Sequence, residues 1–252
     1  MIPKLSSIRL IPYQIGDESK NMAIDEFLLQ LDQPCLRFYG WKRPTLSLGR
    51  SNSKPDDIDF KYCKNNNIPL VKRLSGGGAV LHQYEITYCF SSDISDFSPS
   101  IIKTYQAIST PILNCFYKLG LKPEMTNHKR KLSDSSVCFN EISNFELSIN
   151  KKKVVGSAQY RQKKRFIQHG SILIDVDFDL WQKIWRIESK VNFLKNRVTT
   201  LNEQLKNKTD HLEIINILVE EFSSSFKTSI FEKKLQSTEI AEIQNLMTKY
   251  QL

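Results

Sequence analysis

Several absences narrow the reading before any motif is considered. The five cysteines, at 35, 63, 89, 115 and 138, form no Cys-x-x-Cys pair and leave one over, which argues against a disulfide framework and a zinc site. No apolar run approaches the ~20 residues that span a bilayer. The opening stretch MIPKLSSIRLIPYQ has neither a continuous apolar core nor a small-residue cleavage site. We therefore expect a cytoplasmic protein with no membrane partner. Acidic residues are in deficit, 27 Asp and Glu against 36 Lys and Arg, for a formal charge of +9. Such a balance attracts acidic partners. Nucleic acid is not expected among them, because no zinc-finger spacing, basic helix or RNA-binding aromatic motif accompanies the charge. There is no internal repeat and no low-complexity segment. The 252 residues can bury one full core, so a single domain over 1–252 is expected, with a helical C-terminal part from about 206.

Hydrophobic periodicity divides the chain into short strands and amphipathic helices. Residues 6 to 13 alternate weakly and read as an edge strand. Asn21 reads as the cap of a scaffold helix whose Met22, Phe27 and Leu29 form an apolar side. Leu36 to Tyr39 and Thr45 to Leu48 read as strands separated by Gly40 and Pro44, and Asp56 to Asn66 as a short helix. From Ser98 to Gly120, Ile101, Tyr105, Ile108, Ile112, Cys115 and Leu119 fall at helical spacing with Gly120 as the stop. Pro111 lies inside that pattern and predicts a kink or a break, at about 3 kcal/mol. Phe178 to Trp185 reads as a helix after a strand at Ser171 to Asp175, and His211 to Phe222 and Thr238 to Tyr250 as further helices. Helices beside a mixed sheet make an α+β fold.

Two stretches carry polar chemistry. The first is VKRLSGGGAVLHQYEITYCF, from Val71 to Phe90. Gly76, Gly77 and Gly78 allow close backbone approach and positive φ, although three glycines also suit an ordinary flexible loop. Arg73 and His82 flank them with polar groups, and Ala79, Val80 and Leu81 add an apolar wall.

The second stretch runs from Cys138 to Asp175. Phe145, Leu147 and Ile149 alternate with Glu146 and Ser148, Asn150-Lys151-Lys152 supplies a polar turn, and Val154-Val155 follows, which predicts a hairpin. The hairpin folds Lys153 back toward the loop that carries Cys138, reached through a loop at Asn127 to Ser136. An ammonium near a thiol favours the nucleophilic thiolate. Taken singly these residues have plainer uses. A cysteine is usually a packing residue, short lysine runs are usually solvated, and Gly156 can mark a bulge. Lys151 and Lys152 are read as solvated turn residues, and Lys153 as the start of a strand outside the core. His169, in Gln168-His169-Gly170-Ser171, is read as a pocket residue with a backbone partner.

The order of these elements gives a family resemblance. KKVVGSAQYRQKKRFIQHGSILID resembles the lysine-containing motif of the lipoate-protein ligase and octanoyltransferase superfamily. RLSGGGAVLH is similar to that superfamily's Arg-x-x-Gly-Gly-x-Ala-Val-x-His element, and NMAIDEFLL and LRFYGWKRPTLSLGR resemble its first helix and strands. The resemblance implies a biotin-ligase-like catalytic fold, related to class II synthetases, with a mixed β-sheet flanked by helices. It places Arg73, Gly76, Gly77, Gly78, Ala79, His82, Gly156, Ser157, Ala158, His169 and Gly170 against the substrate. The segment from Gly76 to Leu81 would then wall a narrow, mostly apolar acyl tunnel with Cys138 near its mouth.

Cys138-Phe139 and Glu85-Ile86-Thr87-Tyr88 resemble the cysteine-dependent octanoyltransferases. That branch implies catalytic Cys138 and Lys153, a thioester intermediate, no cofactor and no metal. Its partners would be octanoyl-acyl carrier protein and a lipoyl-domain or glycine cleavage H-type acceptor, met by a monomer. The absence of an accessory domain agrees with it. Gly78, where those transferases usually carry arginine, and Ile142-Ser143 in place of Pro-Ser point the other way, to a ligase using ATP and Mg²⁺ through an acyl-adenylate. A non-catalytic module for acidic partners rests on the charge alone.

Overall fold

Strand β1 (Ser7–Gly16) lies inside the main sheet of this computed structural model, which describes residue 3 and residues 5–51, 55–125, 146–186 and 194–250. The sequence had suggested an edge. The neighbour that covers β1 is β11 (Ser229–Glu232), more than two hundred residues away, pairing in parallel at Ser7 with Ser229. On its other side β1 pairs in parallel with β2 (Cys35–Trp41). Helix α1 (Glu18–Phe27) between them is capped by Asp17, whose side chain accepts from the Lys20 amide. Asn21, expected as the cap, is instead fully buried one turn further on, where its Oδ1 accepts from Arg37 Nη2 at 2.7 Å.

The sheet continues from β2 through β6 (Glu85–Asp93), β10 (Arg165–Leu173), β9 (Lys152–Gln162) and β8 (Leu147–Ile149) to β7 (Pro123–Met125), for eight strands in all. From β2 onward every pairing is antiparallel. The β8–β9 hairpin is the one the alternation predicts. Its turn residues Asn150 and Lys151 both have positive φ, 52° and 62°, the conformation whose twist matches the flanking strands. β10 begins and ends earlier than the expected Ser171 to Asp175, because it is held along its length by β6 on one side and β9 on the other. A second sheet has β3 (Thr45–Leu48) between β4 (Leu70–Lys72) and β5 (Val80–His82).

Helix α2 (Phe60–Asn65) is shorter than the sequence implied, its cap being Asp59. Helix α3 (Ile101–Lys118) passes through Pro111 as one element. Ile108, Ile112, Cys115 and Phe116 on its inner face are fully buried. At roughly 1.5–3 kcal/mol for each large apolar side chain, that burial outweighs the ~3 kcal/mol proline penalty. Helix α4 (Phe178–Trp185) has the predicted bounds, and α5 (Leu201–Leu205) follows. Helix α6 (His211–Phe226) buries Ile214, Leu218 and Phe222 as the spacing required. The C-terminal part is not helical alone, since β11 joins the sheet before α7 (Ser237–Met247). Buried Arg9 on β1 reaches both carboxylate oxygens of Glu239 on α7, at 2.6 and 2.7 Å, and so ties that helix to the sheet. No helix among the described residues is long and apolar enough to cross a membrane.

Candidate active site

Where β6, β10 and β9 lie side by side, Gly170 sits opposite Tyr88 on one strand and Ser157 on the other. A Cβ on Gly170 would lie 2.5 Å from Ser157 Oγ and 2.6 Å from the Gly156 carbonyl oxygen, so no larger residue fits. Against this spot lies a narrow, mostly apolar cavity of about 40 Å³. Its lining comes from Met22 on α1, Tyr39 on β2, Arg73 after β4, Val80 and His82 on β5, and Thr87 on β6, completed by Gly156 to Ala158 on β9 and His169 to Ser171 on β10.

Seven residues singled out in the sequence therefore meet here: Arg73, His82, Gly156, Ser157, Ala158, His169 and Gly170. Of the expected wall from Gly76 to Leu81 only Val80 lines the cavity, with the flanking Arg73 and His82. Gly77 instead comes into close backbone approach with Gly49. The site of a Cβ on Gly49, just past β3, falls almost on the Gly77 carbonyl oxygen, and Gly77 itself has φ 104°. Arg73 holds the loop from inside, donating from Nη2 to the carbonyls of Gly76 and Gly78 at 3.1 and 2.7 Å and from Nη1 to Ser47. The cavity is also small. A volume of about 40 Å³ has room for only a few waters at ~10–15 Å³ each, so a chain of several methylenes needs its lining to move. Met22, with three rotatable bonds, is the liner best able to do that.

Two histidines flank the cavity, each set between a carboxylate and a serine. His169 Nδ1 lies 3.0 Å from Asp25 Oδ2, and its Nε2 lies 2.5 Å from Ser75 Oγ. The backbone partner expected for His169 is thus replaced by two side chains from distant parts of the chain. Asp25, 1% exposed, also accepts from Arg37 Nη1 at 3.0 Å and from the Tyr39 hydroxyl at 2.9 Å. Burial first, and the Asp25 charge second, hold the Tyr39 hydroxyl well above its ordinary pKa, which keeps it a donor. On the other side His82 Nδ1 meets Glu85 Oε1 at 2.8 Å, Nε2 meets Ser47 Oγ at 2.7 Å, and the ring stacks on Trp41. At the floor the Tyr88 hydroxyl bonds Ser157 Oγ at 2.7 Å, and burial pushes it up to about 12.

The sequence missed Asp25, Met22 and Tyr39. Helix α1 read as scaffold, and its single acid at an inward position was the signal that could have drawn attention.

Lys153 differs from its sequence reading as well. It is the second residue of β9, yet its side chain is fully buried, with Nζ 2.7 Å from Glu146 Oε1, itself 3% exposed. The backbone explains the burial. The Lys153 amide donates to Arg197 O and its carbonyl accepts from Thr199 N, so a neighbouring segment covers the strand start. Lys151 is exposed as expected, whereas Lys152 belongs to the strand and lies 3.5 Å from Glu203. Cys138, the Asn127 to Ser136 loop and Phe145 lie outside the described residues. The remaining cysteines are all buried. Burial pushes the thiols of Cys35 and Cys115 up to about 12 and Cys63 to about 11, and raises Cys89 further. None of these four is poised as a thiolate. Among the described residues no three His, Cys, Asp or Glu side chains converge as a metal ligand set.

Comparison with known proteins places this arrangement. The chain is 34% identical to octanoyltransferase LipM of Brevibacillus brevis over 96% of its own length and 95% of that protein's. It is likewise 34% identical to octanoyltransferase LipM of Bacillus subtilis, over 91% and 90%. Its fold superposes on a crystal structure of lipoate-protein ligase A bound with ATP, with a TM-score of 0.81 at 21% identity, covering 97% and 95% of the two chains. A bipartite lipoate protein ligase from Thermoplasma acidophilum gives 0.80 at 20%, covering 98% and 93%. The match to the sequence model of the lipoyl protein ligase A/B catalytic domain runs from residue 17, the cap of α1, to residue 223 in α6, and so takes in every cavity-lining residue: this chain belongs to that family.

Proposed function

We propose that this protein is an octanoyltransferase of lipoate biosynthesis. It takes an octanoyl group from octanoyl-acyl carrier protein as a thioester on Cys138 and releases it to a lysine of a lipoyl-domain or glycine cleavage H-type acceptor. The observation that carries this reading is the near full-length likeness, at 34% identity, to two octanoyltransferases. The burial of the other four thiols supports Cys138 as the nucleophile, since each of them is packed in the core with its thiolate disfavoured. A covalent thioester divides one difficult transfer into two easier steps. The mostly apolar cavity with polar groups at its rim suits an acyl chain carrying a reactive carbonyl. Lys153 provides the ammonium that favours the Cys138 thiolate, and the charge of +9 draws in acidic carrier and acceptor proteins. In this reading the enzyme is a cytoplasmic monomer that needs neither nucleotide nor metal.

Incubation with octanoyl-acyl carrier protein followed by intact-mass measurement tests the first step. Wild type gains one octanoyl group, labile to hydroxylamine, and Cys138→Ser gains no thioester. Absence of the adduct during turnover would overturn the reading. Pyrophosphate release from ATP and octanoate that survives Cys138→Ala would assign the chain to the adenylate-forming ligases instead.

A further inference from the structure

Behind the residues that line the polar end of the cavity lies a buried oxygen with no hydrogen-bond partner. Glu85, 4% exposed, accepts three hydrogen bonds on Oε1, from His82 Nδ1 at 2.8 Å, Ser171 Oγ at 2.7 Å and Thr87 Oγ1 at 2.5 Å. Its Oε2 is buried and has no hydrogen-bond partner among the described residues. The three donors all line the cavity. The network also fixes which way protons point. Arg73 Nη1 can only donate, and it lies 3.2 Å from Ser47 Oγ. The Ser47 proton is then free to go to His82 Nε2, which leaves the ring proton on Nδ1, directed at Glu85. Trp41, stacked 4.1 Å from the His82 ring and donating from Nε1 to Thr87 at 2.8 Å, locks both in place. No lysine or arginine forms an ion pair with Glu85 among the described residues, and His82 is a hydrogen-bond partner.

A buried carboxylate with one oxygen uncommitted is costly unless a donor arrives. The donor that fits is a compact cation with several N–H groups. We propose that Glu85 receives the ammonium of the acceptor lysine and takes its proton, with His82 holding the carboxylate in position. This rests on the transferase reading and assigns its second half-reaction. A lysine amine titrates near ~10.4 and is almost wholly protonated at neutral pH, hence not nucleophilic. One proton passes from the ammonium to Glu85 Oε2. The amine nitrogen then bonds the thioester carbonyl carbon, the carbon–sulfur bond breaks, and a second N–H proton goes to the departing sulfur. The products are an amide, a free thiol and a protonated Glu85 that returns its proton to water. The charged or titratable groups on the cavity wall itself are Tyr39, Arg73, His82 and His169.

The two half-reactions separate this role from a structural one. Glu85→Gln keeps the side-chain shape and an Oε1 acceptor, and is expected to form the Cys138 adduct at the wild-type rate. Its transfer to the acceptor lysine falls about a hundredfold at pH 7 and recovers steeply toward pH 9.5 as free amine appears. Glu85→Asp, which retains a carboxylate, transfers faster than Glu85→Gln at pH 7. Loss of both half-reactions together in folded protein, transfer at the wild-type rate, or the reverse order of Asp and Gln would each overturn the assignment. A wild type that octanoylates the acceptor without passing through an adduct would sink the thioester alone, and the ratio of variant to wild-type transfer across the pH range would still decide the role of Glu85.

Discussion

The β9–β10 strands and the glycine segment between β4 and β5 look alike in sequence, each a run of small residues with polar neighbours, yet they take different places around the cavity. In the strands the small residues themselves make the wall. Gly156, Ser157, Ala158 and Gly170 line the space because β6, β9 and β10 are held in register. In the glycine segment the small residues from Gly76 to Ala79 do not line it, and Arg73, Val80 and His82 do. The difference teaches that small size has two uses here. One makes room for a ligand, and the other lets two stretches of backbone touch, as Gly49 and Gly77 do.

Substitutions can break this contrast, and the largest effect is expected at the start of the strand pair. Lys153→Ala removes the ammonium from the buried Glu146 carboxylate. Stripping one partner from such a pair commonly costs about 3–5 kcal/mol, so chemical denaturation should show a destabilised fold together with lost octanoyl transfer. Lys153→Arg keeps the charge but must fit a wider, planar group into a fully enclosed space, and is expected to be only partly better. A variant as stable as wild type would show that the burial of Lys153 has been overvalued.

Gly170→Ala comes next. Its Cβ would meet Ser157 Oγ at 2.5 Å, the Gly156 carbonyl at 2.6 Å and Tyr88 at 2.8 Å. Overpacking of this kind costs about 1–3 kcal/mol. Because the clash adjoins the cavity wall, activity should fall at least tenfold at temperatures where circular dichroism still reports a folded protein. Gly49→Ala should show the converse. Its clash is with the backbone of Gly77, outside the cavity, so a comparable loss in melting stability should accompany a smaller fall in activity measured well below the transition. Equal activity losses in the two variants would erase the distinction between wall and brace.

The smallest effect sharpens the same point. A Cβ on Gly76 would meet nothing within 4 Å, and Gly76 is not among the positive-φ residues. Gly76→Ala should change stability by less than about 0.5 kcal/mol and leave the acyl-transfer rate near that of wild type. A large loss of activity without loss of stability would return the glycine segment to the substrate.

Much of this architecture follows from local sequence. The β8–β9 hairpin was legible because Leu147 and Ile149 alternate with polar residues and because Asn150-Lys151 tolerates the positive φ its turn requires. The bounds of α4, Phe178 to Trp185, agree with the sequence reading, and the structure shows Asp177 as its cap. Arg73, His82, His169 and the Gly156 to Ala158 run were singled out because their order matched a family pattern, and the structure brings them to one cavity. Local rules did not reach Pro111, where burial elsewhere on α3 settled a matter that propensity alone would have decided differently.

What tertiary structure alone decided are the contacts made across long stretches of chain. β1 is interior because β11 returns to cover it, and periodicity in residues 6 to 13 carries no trace of that partner. Asp25 belongs to the site because α1 packs over β2 and β10, bringing the acid within 3.0 Å of His169, 144 residues away. Lys153 is buried because residues 197 to 199 bond to both its backbone groups, although lysine by type prefers solvent. The free oxygen of Glu85 has the same origin, since its three donors come from β5, β6 and β10 and crowd onto one oxygen. Sequence sets which groups can donate and accept; the packing of distant strands sets which of them are left without a partner.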